Sequence, residues 1–153
     1  MTRVALLCAD EPASRHVASA LSQAGFLAGI LLERGGPRRR DSRPLPLLHR
    51  AFGKLYHLLY YDRARRKAEE RLRNDLFGPA EPLFPAGMPL KEVEDANAPE
   101  ARAFLKGLDP ELLVVWGTRL LEPGTFALGR RGALNCHMGV LPDYRGSLSE
   151  FWT

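Results

Sequence analysis

Apolar residues along this chain gather in continuous runs rather than in simple alternation. Arg3–Cys8 holds Val4, Ala5, Leu6 and Leu7 in a row, the pattern of a strand buried on both faces. Asp10, Glu11 and Pro12 then open a helix. Pro12 suits a first turn, where a missing N–H costs nothing. Val17, Ala20, Leu21 and Ala24 recur at helical spacing, and Gly25 stands where a C-capping glycine belongs. Phe26–Leu32 is a second apolar strand. Strand, helix and strand within roughly 30 residues make a βαβ unit, which implies a parallel sheet.

The pattern breaks after Gly35, Gly36 and Pro37. Residues 38–50 are rich in Arg and Pro, residues 51–76 read as helix, and residues 78–90, with four prolines and two glycines, read as loop. The stretch of about 37–90 is therefore expected to be an insertion between strands of the core fold. The core pattern then resumes. Asn97, Ala98 and Pro99 start a helix that runs through Lys106 and is closed by Gly107. Leu112–Trp116 is another buried strand, and Ala133–Cys136 a short one after the turn at 130–132. Ser147–Thr153 reads as the first turns of a helix, so the chain is expected to be a C-terminally incomplete domain. The fold class expected for residues 1–153 is α/β, a Rossmann-like parallel sheet with flanking helices.

Composition adds limits. With 153 residues, 45% hydrophobic and 26% charged, the chain can bury one domain core. Cys8 and Cys136 fit no CxxC pattern. No disulfide framework, zinc site or other metal is expected, and a reducing compartment, the cytoplasm, is the default. The first apolar run is too short for a signal segment, and no stretch is long enough to cross a bilayer. The net charge of +4 is unevenly spread. Residues 34–73 hold 13 Lys/Arg against 4 Asp/Glu, or +9, which leaves −5 for the rest. Basic residues Arg63, Arg65, Arg66 and Lys67 could face a nucleic acid or an anionic surface. Glu69 and Glu70 lie at pairing distance along a helix, so a solvated, self-paired face is the favoured reading and nucleic acid the less favoured one.

The chemistry is concentrated in Asn135-Cys136-His137-Met138-Gly139-Val140-Leu141-Pro142-Asp143-Tyr144-Arg145-Gly146. Asn135 and His137 are two apart at a strand end, so alternation puts both on one face. The carboxyl end of a parallel sheet opens into the ligand crevice. An amide and an imidazole aimed at one point pair an oxyanion donor with an acid/base group. Gly139, Pro142 and Gly146 fix the path of the following loop, from which Tyr144 and Arg145 present their groups. A lone strand-end histidine is more often structural than catalytic, and the whole string is what shifts the balance.

That string resembles the Asn-x-His-x-(Ser/Gly)-x-Leu-Pro-x-Tyr-Arg-Gly signature of the folate-dependent formyltransferases. Trp116-Gly117-Thr118-Arg119-Leu120-Leu121 resembles the strand and turn that precede it in that family. The resemblance covers residues 97–153 well and 1–34 as fold. It implies formyl transfer from 10-formyltetrahydrofolate, as cosubstrate, to an amine, with no metal. Asn135 and His137 would be catalytic, the amide donating to the developing oxyanion and the imidazole moving the proton. Arg119, Leu120 and Leu121 would line the folate pocket. Gly139, Tyr144, Arg145 and Gly146 would shape the substrate loop.

The sequence departs from the family pattern at three places. Met138 stands where proline is frequent. Ala9-Asp10-Glu11-Pro12 lacks a Gly/Ser-rich phosphate loop, and its two carboxylates disfavour a phosphate. The family's orienting Asp falls some tens of residues after the histidine, beyond Thr153, so these 153 residues alone are expected to be inactive and prone to self-association. The expected acceptor is a small-molecule amine, first an amino-sugar nucleotide, because the insertion resembles those of surface-sugar formyltransferases, and second methionyl-tRNA. A 10-formyltetrahydrofolate hydrolase and a noncatalytic binding protein are the alternatives.

Overall fold

A computed structural model describes residues 2–34 and 82–137, with a few isolated positions between them. The chain divides into two compact units, residues 1–38 with 83–153, and residues 39–82. The sheet lies wholly in the first. Most of the expected helix at 51–76, and all of the expected turns at 147–153, lie outside the described residues; in the second unit, Leu55, Lys67, Glu70, Arg71, Asn74 and Asp75 are helical. Among the described residues, no helix is long and apolar enough to cross a membrane.

The first unit is a five-stranded, all-parallel sheet, in keeping with the Rossmann-like α/β expectation. Its elements are β1 (Val4–Cys8), α1 (Pro12–Gln23), β2 (Leu27–Glu33), β3 (Leu90–Val93), α2 (Pro99–Leu108), β4 (Leu112–Trp116), the single turn α3 (Pro123–Phe126) and β5 (Ala133–Asn135). The strand order is β3-β2-β1-β4-β5. Every residue of β1 is buried, as its unbroken apolar run requires. Leu6, Cys8, Ile30, Leu32 and Val114 pack with Ala18 of α1. Leu7, Leu31, Leu113 and Val115 pack with Ala101, Leu105 and Leu108 of α2. Alternate residues of each strand thus feed opposite layers.

A bulge in β2 keeps this alternation in register. Val4 pairs with Leu27 but Ala5 pairs with Gly29, leaving Ala28 as the extra residue. Without it, Leu27 would share the parity of Gly29 and Leu31 and leave the α1 layer, where it is packed. Gly29 has a steric cause too. A Cβ there would lie 2.7 and 2.8 Å from the two δ-carbons of Leu108 and 3.1 Å from the Pro89 carbonyl oxygen.

Three elements differ from the sequence expectation, one of them the single turn α3, which the pattern does not predict. β3, which begins at Leu90, is a strand that the pattern does not predict. Leu90-Lys91-Glu92-Val93 has one buried residue, Val93, because its far side is the sheet edge. The last residue of the stretch read as an insertion, Leu90, is therefore the first residue of β3. The third difference is the end of α2. Gly107 does not close the helix. Leu108 is its last residue and is buried, and Asp109 takes the left-handed conformation, φ 46°, donating its N–H to the Lys106 carbonyl. The Arg3 guanidinium caps the same end, with Nη2 2.7 Å from the Leu108 carbonyl oxygen.

Two glycine substitutions should therefore diverge in urea denaturation. Gly29→Ala should destabilise the protein by about 1–3 kcal/mol through overpacking. Gly107→Ala, inside the helix with open space around the new methyl, should stabilise it by about 0.5–1 kcal/mol. Equal effects of the two would contradict this packing.

Candidate active site

The order of the strands fixes where a ligand can enter. From β1 the chain moves outward through β2 to β3, then returns across the sheet through α2 to place β4 on the other side of β1. The connections after β1 and β4 leave in opposite directions, and the gap between them at the carboxyl ends is the crevice of such sheets. The Ala9 N–H still bonds the Trp116 carbonyl, at 3.2 Å, before the two chains part. Gly117 releases β4 into its turn with φ 69°, a conformation that disfavours side chains.

Arg119, Leu120 and Leu121 occupy that turn, and they are placed very differently. Arg119 is half-buried and tied into a polar cluster. Its N–H donates to Glu33 Oε2 at 2.8 Å, its Nη1 lies 3.3 Å from Asp95 Oδ2, and its Nε lies 3.8 Å from Glu33 Oε1. Leu120 is 95% exposed, so it is no core residue of the described structure. Leu121 packs against the α2 layer.

The residues that hold the turn are ones that sequence reading passed over. Glu33 ends β2 and is buried, accepting the Ala96 N–H on Oε1 at 2.8 Å as well as the Arg119 N–H. Asn97 is not a helix residue. Its side chain bridges the far half of the turn, Nδ2 to the Leu120 carbonyl at 3.0 Å and Oδ1 from the Glu122 N–H at 2.7 Å. Asp95 Oδ1 accepts the Asn97 N–H at 2.8 Å. Arg102 of α2 reaches Glu122 and the Thr125 hydroxyl. The available clue was a carboxylate closing an otherwise apolar run.

Asn135 is the last residue of β5 and pairs with Val115. The Cys136 N–H continues the ladder to the Val115 carbonyl at 2.9 Å. Asn135 and Cys136 are exposed, and His137, just beyond the strand, is half-buried. These residues therefore stand at the same carboxyl end of the sheet as the Arg119 turn, one strand further from β1. Gly139, Tyr144, Arg145 and Gly146 lie outside the described residues.

At the opposite lip, Asp10 is paired with Arg15, Nη2 to Oδ1 at 2.7 Å, and the Arg15 guanidinium lies over the Phe84 ring. The Asp10 charge is thereby offset, though the Glu11 carboxylate at the helix entry still disfavours a phosphate. Both cysteines are free, Cys8 buried and Cys136 exposed. Burial pushes the Cys8 thiol up to about 12, with Asp10 and Glu11 acting in the same direction and the Ser14 hydroxyl against them. Ser14 Oγ is buried and makes no hydrogen bond of ordinary geometry. A thiol reagent near pH 8, about the ordinary thiol range, should modify Cys136 in the folded protein and Cys8 only after unfolding. Simultaneous labelling of both in the folded state would contradict the burial of Cys8. Because the folded value is raised, the thiol's contribution to stability is complete below about 9 and is lost as the pH rises towards about 12.

No family model matches the chain. It is similar to the methionyl-tRNA formyltransferase of Chlorobium chlorochromatii, 35% identical over 65 residues, which are 42% of this chain and 21% of the relative. The enzyme of the same name from Chlorobium phaeovibrioides is 39% identical over 61 residues, 40% of this chain and 19% of the relative. That from Acidithiobacillus ferrooxidans is 39% identical over 64 residues, 40% and 20% respectively. The matches thus span about a fifth of the length of these relatives. The likeness to methionyl-tRNA formyltransferases covers about two fifths of this chain, and it accompanies a parallel sheet with a turn and a strand end at one edge.

Proposed function

We propose that this protein takes part in formyl transfer from 10-formyltetrahydrofolate to a primary amine, and that the amine is carried by a methionyl-tRNA-like acceptor. The observation that carries the reading is the position of Asn135 at the carboxyl end of β5, beside the strand whose following turn lines the switch-point crevice. The pocket for the folate is supported by the character of that turn. Its backbone is tied down by Glu33 and Asn97, and the apolar Leu120 side chain is held out in solvent. A fixed edge of amides beside an apolar side chain suits a flat, hydrogen-bonding heterocycle.

In this reading the amine nitrogen bonds to the formyl carbon, and the bond from that carbon to the donor nitrogen breaks. Asn135 donates from its amide to the oxygen on which negative charge develops. His137 moves the proton from the attacking amine towards the departing nitrogen. A carboxylate that orients the imidazole completes the set, as the family resemblance implies. Arg119, Leu120 and Leu121 bind the donor, and the segment bearing Gly139, Tyr144, Arg145 and Gly146 shapes the acceptor side.

The sequence favours an amino-sugar nucleotide as acceptor, whereas the relatives it matches bear the name of methionyl-tRNA enzymes. The tRNA-borne amine is therefore preferred here. The full-length protein should consume 10-formyltetrahydrofolate faster when methionyl-tRNA is added than when an amino-sugar nucleotide is added. Asn135→Ala should lower the rate by about two to three orders of magnitude, the usual effect of losing one oxyanion donor. His137→Ala should lower it at least as far. Equal consumption with no acceptor present would point to the hydrolase, and a rate indifferent to both substitutions would overturn the site.

A further inference from the structure

Among the described residues, Glu33 is a carboxylate withdrawn almost wholly from solvent, at 2% exposure. A buried carboxylate is costly unless its oxygens are satisfied. Both are satisfied by backbone N–H groups from other segments, Ala96 after β3 and Arg119 after β4, each at 2.8 Å. The group spends its acceptors on two loops at the carboxyl end, and none on its own sheet ladder. The Leu120 side chain, 95% exposed, contributes no packing to the turn, so the turn is held by polar contacts and by Leu121. Asn97 secures the later half of the turn through the Leu120 carbonyl and the Glu122 N–H.

We propose that Glu33 is a positioning residue whose carboxylate pins the backbone at Arg119 and thereby fixes the ligand-facing turn after β4. A residue that only filled space could be replaced there by any group of the same volume. A pin requires a double acceptor. Glutamine has nearly the same shape but presents an amide nitrogen, a donor, in place of one oxygen. One of the two backbone N–H groups would then face a donor, and the Arg119 guanidinium would keep Asp95 but lose the Glu33 charge.

The identity of the ligand rests on the reading given under Proposed function, whereas the pin itself does not. The test compares the full-length wild-type protein with Glu33→Gln by amide hydrogen exchange and by titration with tetrahydrofolate. In the variant, the Arg119 or Ala96 amide should exchange at least about tenfold faster, with the amides of β1 and β4 unchanged. Tetrahydrofolate should bind about tenfold more weakly, the effect of some 1.4 kcal/mol. Unchanged exchange at both amides, unchanged affinity despite faster exchange, or a uniform loss of protection throughout β1 and β4 would each overturn the proposal. If Glu33→Gln fails to fold, Glu33→Asp takes its place. That side chain is one methylene shorter and should release one of the two amides, and unchanged tetrahydrofolate affinity despite that release would overturn the proposal. If the wild-type protein binds no tetrahydrofolate, the donor reading fails and the exchange measurements alone decide the pin.

Discussion

The parallel pairing of β1 with β4 is the interaction on which the rest of the structure depends. Val4 to Cys8 lie beside Leu112 to Trp116 without a break in register. In chain order the sheet first extends in one direction only, from β1 through β2 to β3. Placing β4 on the other flank of β1 reverses that growth and opens the gap between the two diverging connections. Such a pairing bridges more than a hundred residues of sequence, so its closure entropy must be met by burial. The run Val4–Cys8 and the run Leu112–Trp116 supply it, since the centre of the sheet is covered by α1 on one face and α2 on the other.

The same reversal gives the polar cluster its place. Glu33, Asp95 and Arg119 come from the ends of β2, β3 and β4, so they meet only because three parallel strands finish at one edge. At that edge the hydrogen bonding of the sheet stops and the loop amides need other acceptors. A carboxylate supplies two of them while Arg119 balances its charge. The backbone groups at the sheet boundary are thus satisfied by side chains, and Asn97 does the same across the rest of the turn.

How much of this was legible in the sequence followed from the range of the interactions involved. β1, α1, β2, α2 and β4 are written in local periodicity, because each buries a stripe or a face that its own residues define, whereas the three residues of β5 are all exposed and the strand was read from the turn before it and the motif after it. β3 was not legible. An edge strand buries one side at most, and Leu90-Lys91-Glu92-Val93 carries charge where a central strand carries Leu or Val. The end of α2 was misplaced because Gly107 has the chemistry of a cap, while the burial of Leu108 carries the helix past it to Asp109. Of the site, Asn135 and His137 stood out through a linear motif at a strand end. Glu33 did not, since its partners lie 63 and 86 residues away and nothing near it in sequence marks them.

The central claim is that the carboxyl end of β4 and β5 is where this protein meets a reduced folate. It is tested most directly by following the backbone amide resonances during titration with tetrahydrofolate. The account predicts shifts confined to Gly117–Glu122 and Asn135–His137, with the amides of Asp109–Glu111 and Arg130–Gly132, at the opposite end of the same strands, unmoved. Shifts confined to that opposite end, or none at saturating ligand, would contradict it.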